Sequence, residues 1–338
     1  MAPAETVRFI RADTSALDRP QLCIHVDTEE EFDWTGPFRR SNTSVQAISN
    51  LRLAHDIFRR YSLKPVYIVD YPVASSELAR QTLGPWVNGG ECLIGAQLHP
   101  WVTPPHEEVI CLENSFPSNL PRDLERRKLE CLAKTIRENL GENPRVYKAG
   151  RYGLDLARID TLVELGFRVD TSVVPFKSFA GKGGGPDFFG LPDQPFWSLK
   201  YPDFLFLPVT GSLIGPWRNI DRASLDRYLF SDTAIRWRIP SVLARLGLVE
   251  RISLSPEGAD ENDMIRLMDN LVGHGKKVLC LSFHSPSLMP GCTPYVSDER
   301  SLQRFIYILE SVLEHFFGKL NGAPTDSLTL RSQLGKGV

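Results

Sequence analysis

Leu22-Cys23-Ile24-His25-Val26-Asp27-Thr28-Glu29-Glu30-Glu31-Phe32 is an apolar, β-branched run that stops in a cluster of carboxylates. A run of this kind reads as a buried strand. In α/β folds the chemistry lies at the carboxyl ends of strands, which is where these acids stand. Like charges crowded at one strand end repel, and a metal ion or a shared proton relieves them. Asp27 and Glu29 are therefore the first candidates for a functional site. Glu30 and Glu31 read as the start of a solvated loop.

Working outward, similar runs recur at Pro65–Asp70, Cys92–Leu98, Arg145–Gly150, Phe167–Ser172, Leu205–Thr210, Arg251–Ser255 and Lys277–His284. Helical patterns separate most of them. Leu51, Ala54, Ile57, Phe58 and Tyr61 recur at helix spacing, as do Leu129, Leu132, Ala133, Ile136 and Leu140, which Gly141 follows as a terminator. A last helix is predicted from about Asp298 to Phe317, with Ser297 as its cap. Such alternation predicts a parallel sheet covered by helices. Seven or eight units favour a closed or nearly closed α/β barrel over an open doubly wound sheet, which periodicity alone leaves possible. Residues 1–20 read as an N-terminal extension, 21–320 as one barrel domain and 321–338 as a flexible tail.

The 338 residues carry a formal charge of −2 and are 42% hydrophobic, which suits one large core. That balance gives no electrostatic case for nucleic acid or an anionic membrane. Arg126-Arg127-Lys128 reads as a solvated helix face. The six cysteines form no C-x-x-C pair, which argues against a zinc finger and fits a reducing compartment. No signal-like apolar stretch opens the chain and no run reaches the length of a membrane span, so the expected location is cytoplasmic. Phe176–Trp197 is crowded with glycine and proline, and its aromatics Phe188, Phe189, Phe196 and Trp197 suit a loop covering a substrate.

Three histidines follow or end strand-like runs. Cys92–Leu98 leads into His99, and then through two prolines to His106. Imidazole facing the carboxylates of the first strand gives mixed N/O ligation for a divalent metal. Gln97 stands two residues before His99, so strand alternation points both the same way and offers a carboxamide oxygen. Val278–Phe283 ends in His284, placed to protonate a leaving group. Arg151 follows Arg145–Gly150 and can orient a carboxylate; Asp170 can tune a histidine or hold Arg151 in a structural ion pair. His25 reads as a packed core residue, and His55, His274 and His315 as structural or solvated.

Together the segments HVDTEEEFDW, IGAQLHPWVTPP, KAGRYG, VDTSVVP and LSFHSPSLMPGCTPYV resemble the polysaccharide deacetylase superfamily (NodB homology domain, carbohydrate esterase family 4), in its WalW-like branch. The resemblance runs from about Leu22 to Phe317. It implies an α/β fold of the distorted (β/α)7 barrel type, with Asp27 as catalytic base, Glu29 as acidic metal ligand, Arg151 as the residue orienting the base and His284 as catalytic acid. Asp170 matches loosely. Two metal histidines are expected in the second motif, but Gln97 and Trp101 stand there, which leaves His99 and then His106 as the nearest imidazoles. The implied function is metal-dependent hydrolysis, zinc being the expected ion, of an N-acetyl group on an amino sugar or glycan precursor, such as a nucleotide- or lipid-linked intermediate. The altered ligands keep a second reading open, a barrel that binds carbohydrate or acts as a scaffold without catalysis. A glycosidase would need two acids about 5 to 9.5 Å apart, and no strand-end carboxylate better than Asp170 offers itself as the second.

Overall fold

Alternation along the first long strand sorts its side chains into two sets. Leu22, Ile24 and Val26 join the cluster that holds the apolar faces of the helices. Cys23 joins a second cluster with Val66, Ile68, Val146, Val169, Leu205, Val278 and Cys280. A strand buried on both sides in this way belongs in a parallel sheet covered by helices. The structure, a computed structural model, describes residues 9–181, 183–216, 234, 236, 237, 239–245, 248 and 250–335.

In chain order the strands are β1 (Phe9–Arg11), β2 (Gln21–Thr28), β3 (Val66–Val69), β4 (Leu93–Leu98), β5 (Val146–Ala149), β6 (Val169–Asp170), β7 (Phe196–Ser198), β8 (Leu205–Phe206), β9 (Gly211–Ile214), β10 (Glu250–Ser253), β11 (Val278–His284) and β12 (Ala323–Pro324). The parallel series runs β11-β2-β3-β4-β5-β6-β8. β8 and β11 do not pair as strands. Instead the gap is laced: Cys280 N donates to Thr210 Oγ1 at 2.7 Å, Ser282 N to the Leu254 carbonyl at 3.2 Å, and Leu254 N to the Thr210 carbonyl at 2.8 Å. This is the distorted barrel that the family resemblance implies and the strand–helix rhythm favours. One run departs from the expectation. Arg251–Ser255 was read with the parallel strands, but β10 pairs antiparallel with β9 in a separate ribbon.

The helices Leu51–Arg60, Arg122–Leu140, Glu261–Gly273 and Glu299–Gly318 cover the sheet with their apolar faces. Gly141 ends the second of them in the left-handed conformation, at φ 74°. The last begins one residue later than expected, because Asp298 rather than Ser297 is its cap and forms a capping box with Ser301. Lys128 corrects the reading of a solvated basic face: it is buried, paired with Glu108 at 2.8 Å and bonded to the carbonyls of Pro100 and Thr103. It thereby ties a helix to the loop that follows β4.

Residues 321–338, expected to form a flexible tail, instead take part in the packing as far as they are described. β12 pairs with β2, and the helix Ser327–Gln333 puts Leu330 into the inner cluster. Ser327 Oγ meets His25 Nε2 at 2.8 Å, which satisfies a buried imidazole whose pKa burial lowers to about 3. Leu330 fills the interior from below, so Leu330→Ala should cost about 2–5 kcal/mol of stability in urea unfolding. A cost under about 0.5 kcal/mol would mean that this helix is not part of the fold.

Candidate functional site

The parity that buries Cys23 also turns His25 and Asp27 to the same side of β2. Register then brings distant segments together: Asp27 lies opposite His284 on β11, and Gln97 on β4 opposite Lys148 on β5. Asp27, Glu29, Gln97, His99, Lys148 and His284 line one cavity of about 310 Å³ at the carboxyl end of the strands. Phe32, Trp34, Phe38, Tyr152, Phe179 and Tyr295 supply aromatic walls.

Asp27 and Lys148 are 1% and 2% exposed. Asp27 Oδ2 forms a close ion pair with Lys148 Nζ and lies 3.4 Å from His284 Nε2. Asp27 Oδ1 is buried with no hydrogen-bond partner among the described residues. Burial opposes the Lys148 charge, yet the neighbouring Asp27 carboxylate holds its pKa above the usual lysine range. On the far side of His284, Nδ1 meets Glu257 Oε2 at 2.7 Å, and Glu257 Oε1 accepts from the His284 backbone N–H at 3.0 Å and from Ser287 Oγ. Burial again works against the cation, but Glu257 and then Glu29 lift the His284 pKa to about 10. At neutral pH this imidazole carries both protons, and Nε2–H faces Asp27.

Opposite them is a second constellation. Gln97 Nε2 lies 3.1 Å from Glu29 Oε2 and 3.1 Å from His99 Nε2, and the last two atoms are 3.5 Å apart. His99 Nδ1 meets Glu30 Oε2 at 2.8 Å, while Trp101 Nε1 donates to Glu30 Oε1 at 2.7 Å and its ring stacks on His99. Burial pushes Glu30 up to about 8 and Asp70 well above the carboxylate range, and the two carboxyls are bonded to each other. Glu30 thus accepts the Nδ1 proton, and His99 Nε2 turns a lone pair to the cavity; burial keeps this imidazole below its usual pKa. Gly150 permits the arrangement, since a Cβ there would stand 2.5 Å from His99 Cδ2.

These residues fit a divalent cation. Ligands sharing one tetrahedral ion at bonds of about 2.0–2.1 Å stand about 3.3–3.4 Å apart, close to the Glu29, Gln97 and His99 separations. Gln97 Oε1 is a buried acceptor with no partner among the described residues, and turning the amide presents that oxygen in place of Nε2. A ligating histidine commonly gives its other N–H to a carboxylate, as His99 does to Glu30. Glu30, Asp70 and His99 also lie within 4.8 Å of one another. Their donor atoms are taken up in mutual bonds and backbone contacts, so this cluster serves to orient His99.

Asp27, Glu29, Gln97, His99 and His284 therefore meet, as the sequence predicts. Other expectations are corrected. Arg151 lines the cavity but does not touch Asp27; its Nη1 donates to the Leu112 carbonyl at 3.4 Å and to Ser115 Oγ. The cation beside Asp27 is Lys148. Asp170 holds neither Arg151 nor a histidine. It follows inward-facing Val169, so it points the other way, and it bonds Ser172 N and Oγ at 2.8 Å each. Glu257 is the carboxylate that tunes His284. His106 is exposed on the far side of two prolines, away from the cavity lining. Glu30 is fully buried rather than solvated, and half-buried Glu31 accepts from Ala47 N at 2.6 Å and from Ser44 Oγ. The loop 176–197 does reach the cavity, through Lys177 and Phe179, whereas Phe188, Phe196 and Trp197 are buried in the core.

No family model matches this chain, and no curated protein matches it. Solved structures do share its fold. A candidate polysaccharide deacetylase from Mycobacterium smegmatis aligns over 97% of this chain and 94% of its own, with a TM-score of 0.53 at 11% identity. A candidate glycoside hydrolase/deacetylase from Parabacteroides distasonis aligns over 93% of this chain and 70% of its own, with a TM-score of 0.57 at 10% identity. The chain thus has the polysaccharide deacetylase fold; the likeness does not single out a branch within it.

The His284–Glu257 pair has a measurable consequence. The folded pKa lies above the ordinary value of 6.5, so the pair stabilises the fold fully below about pH 6.5, and that contribution is lost as pH rises through about 10. Histidine NMR should show His284 titrating near pH 10, and Glu257→Gln should return it toward the ordinary range. An unchanged midpoint in that variant would remove Glu257 as the cause.

Proposed function

We propose that this chain is a metal-assisted amide hydrolase that removes an N-acetyl or related N-acyl group from an amino sugar or glycan precursor. One observation carries the reading: Asp27 and His284 stand in register across a strand pair, the carboxylate with an unpartnered oxygen and the imidazole with a proton to give, beside a carboxylate–carboxamide–imidazole trio.

Asp27 Oδ1 takes a proton from water, and the oxygen of that water bonds to the acyl carbon. His284 Nε2–H gives its proton to the amide nitrogen as the C–N bond breaks, leaving a free amine and the carboxylic acid. Lys148 fixes Asp27, and Glu257 fixes His284. Glu29, His99 and Gln97 would hold the ion, which when bound polarises the acyl carbonyl and acidifies water. Sugar rings offer apolar faces to Trp34, Tyr295 and the other cavity aromatics, and buried Trp34 Nε1 is an N–H with no partner among the described residues.

The second reading, a barrel that binds carbohydrate without catalysis, is favoured by Gln97 itself, which joins Glu29 and His99 directly at 3.1 Å each. Bound-metal analysis together with acetate release from N-acetylated glucosamine oligomers separates the two. The hydrolase should bind about one divalent ion per chain, and chelation should slow it by at least about a hundredfold. Asp27→Asn should cost about 10²–10⁴-fold in kcat. Sugar binding without metal uptake or acetate release would leave the binding barrel.

A further inference from the structure

We propose that the acylated substrate carries an anionic group, carboxylate or phosphoryl, which docks on Arg151 at the cavity wall. This rests on the acyl-sugar reading above and narrows its substrate class.

Arg151 is a half-buried cation with no acid to serve among the described residues. Among the described residues its hydrogen bonds come only from Nη1, to the Leu112 carbonyl and Ser115 Oγ, and no carboxylate lies within ion-pair distance of it. Burial alone shifts its pKa, downward. A guanidinium presents five N–H donors, so Nε and Nη2 keep theirs for a ligand. The group is held in place by more than those two bonds. Its carbon lies 4.2 Å from the centre of the Phe116 ring and 5.1 Å from that of Phe38. The backbone at Arg151 and Tyr152 is left-handed, at φ 54° and 61°, a conformation that non-glycine residues rarely adopt. Residues held in this way cluster at ligand sites. The simple continuation of β5 would aim residue 151 away from the interior; this kink brings it to the cavity lining.

Charge around the cavity agrees. Lys148 is paired with Asp27 and the His284 imidazolium with Glu257, so among these cavity groups Arg151 is a cation that meets no carboxylate among the described residues. A bound divalent ion would add to the positive side. The loop residue Lys177 holds its ammonium 4.7 Å from the Phe179 ring centre, on the same wall as Tyr152. A neutral sugar would leave the Arg151 charge unanswered. A planar carboxylate or a phosphoryl group matches the guanidinium fork with paired hydrogen bonds.

Calorimetric binding of three probes to the whole chain tests this: N-acetylglucosamine, N-acetylglucosamine 1-phosphate and N-acetylmuramic acid. At least one charged probe should bind about tenfold or more tighter than the neutral sugar, and its identity assigns the phosphoryl or the carboxylate. That advantage should shrink as salt rises, a readout needing no variant. It should vanish in Arg151→Gln and fall without vanishing in Arg151→Lys, whose ammonium keeps the charge but not the fork. Equal affinity for all three probes, no binding of either charged one, or an advantage that persists in Arg151→Gln would overturn the proposal. Acetate release is followed separately. A chain that selects the charged probe through Arg151 but frees no acetate keeps the anion subsite and loses the hydrolase.

Discussion

The structure depends on how four carboxyl groups are kept in a nearly dry space. Asp27, Glu29, Glu30 and Asp70 are all at most 2% exposed, and they stand at the ends of the neighbouring strands β2 and β3. An unpaired buried charge is expensive, so each group must find a cation, a proton or a donor. Asp27 has Lys148 and His284. Glu30 and Asp70 are pushed up by burial and bonded to each other, which lets one proton serve two acids. Glu29, raised by burial to about 7 against the pull of His284 and His99, has only the Gln97 amide and the imidazole at 3.5 Å. It is the least compensated of the four, and it stands on the cavity wall. Ion pairs this dry contribute little net stability compared with well-packed apolar residues. What they secure is geometry at the mouth of the barrel.

Strand parity is the means. Inward positions pass from apolar at the bottom of the barrel to chemical at the top: Cys23, His25 and Asp27 on β2, Val146 and Lys148 on β5, Cys280, Ser282 and His284 on β11. The same rule keeps Asp170 out. Being next to Val169, it faces the helices and finishes its bonds within its own loop. One rule of alternation therefore separates two aspartates that look alike in sequence, each in a short apolar run.

Much of this was legible. The acid-ended strand, the strand–helix rhythm and the strand-tip histidines led to the barrel and to Asp27, Glu29, Gln97, His99 and His284. Lys148 carried a signal that was missed: a lysine two residues after Val146, inside a run otherwise buried, has to find an acid. Glu257 carried the same signal as Asp27, a carboxylate just beyond an apolar run. Glu30 was misread because adjacent acids are usually solvated, and only the fold reveals that Asp70 and Trp101 close over it. Arg151 was assigned by its place after β5, and a left-handed backbone, which sequence does not announce at arginine, sends it elsewhere. The end of the chain was misjudged for a related reason. Short pairing strands and a seven-residue helix give little periodicity, although Leu330 completes the barrel floor.

The two cavity histidines show what this environment accomplishes. His99 is buried and His284 partly buried, and their pKa values move in opposite directions. His284 meets Glu257 on one nitrogen and Asp27 on the other, and it is lifted to about 10. His99 gives its Nδ1 side to Glu30, and burial, against the pull of Glu29 and Asp70, drives its pKa down. Where nearby carboxylates outweigh burial the ring is an imidazolium; where burial outweighs them it is a neutral imidazole with a free lone pair. Titratable groups pushed apart in this way mark acid from base or donor from ligand. The nearest carboxylate stands at a corresponding distance in each case, 2.7 Å for Glu257 and 2.8 Å for Glu30, so distance does not decide; the His284 side chain is 19% exposed and that of His99 only 2%. One side of the cavity thereby gives a proton and the other offers electrons.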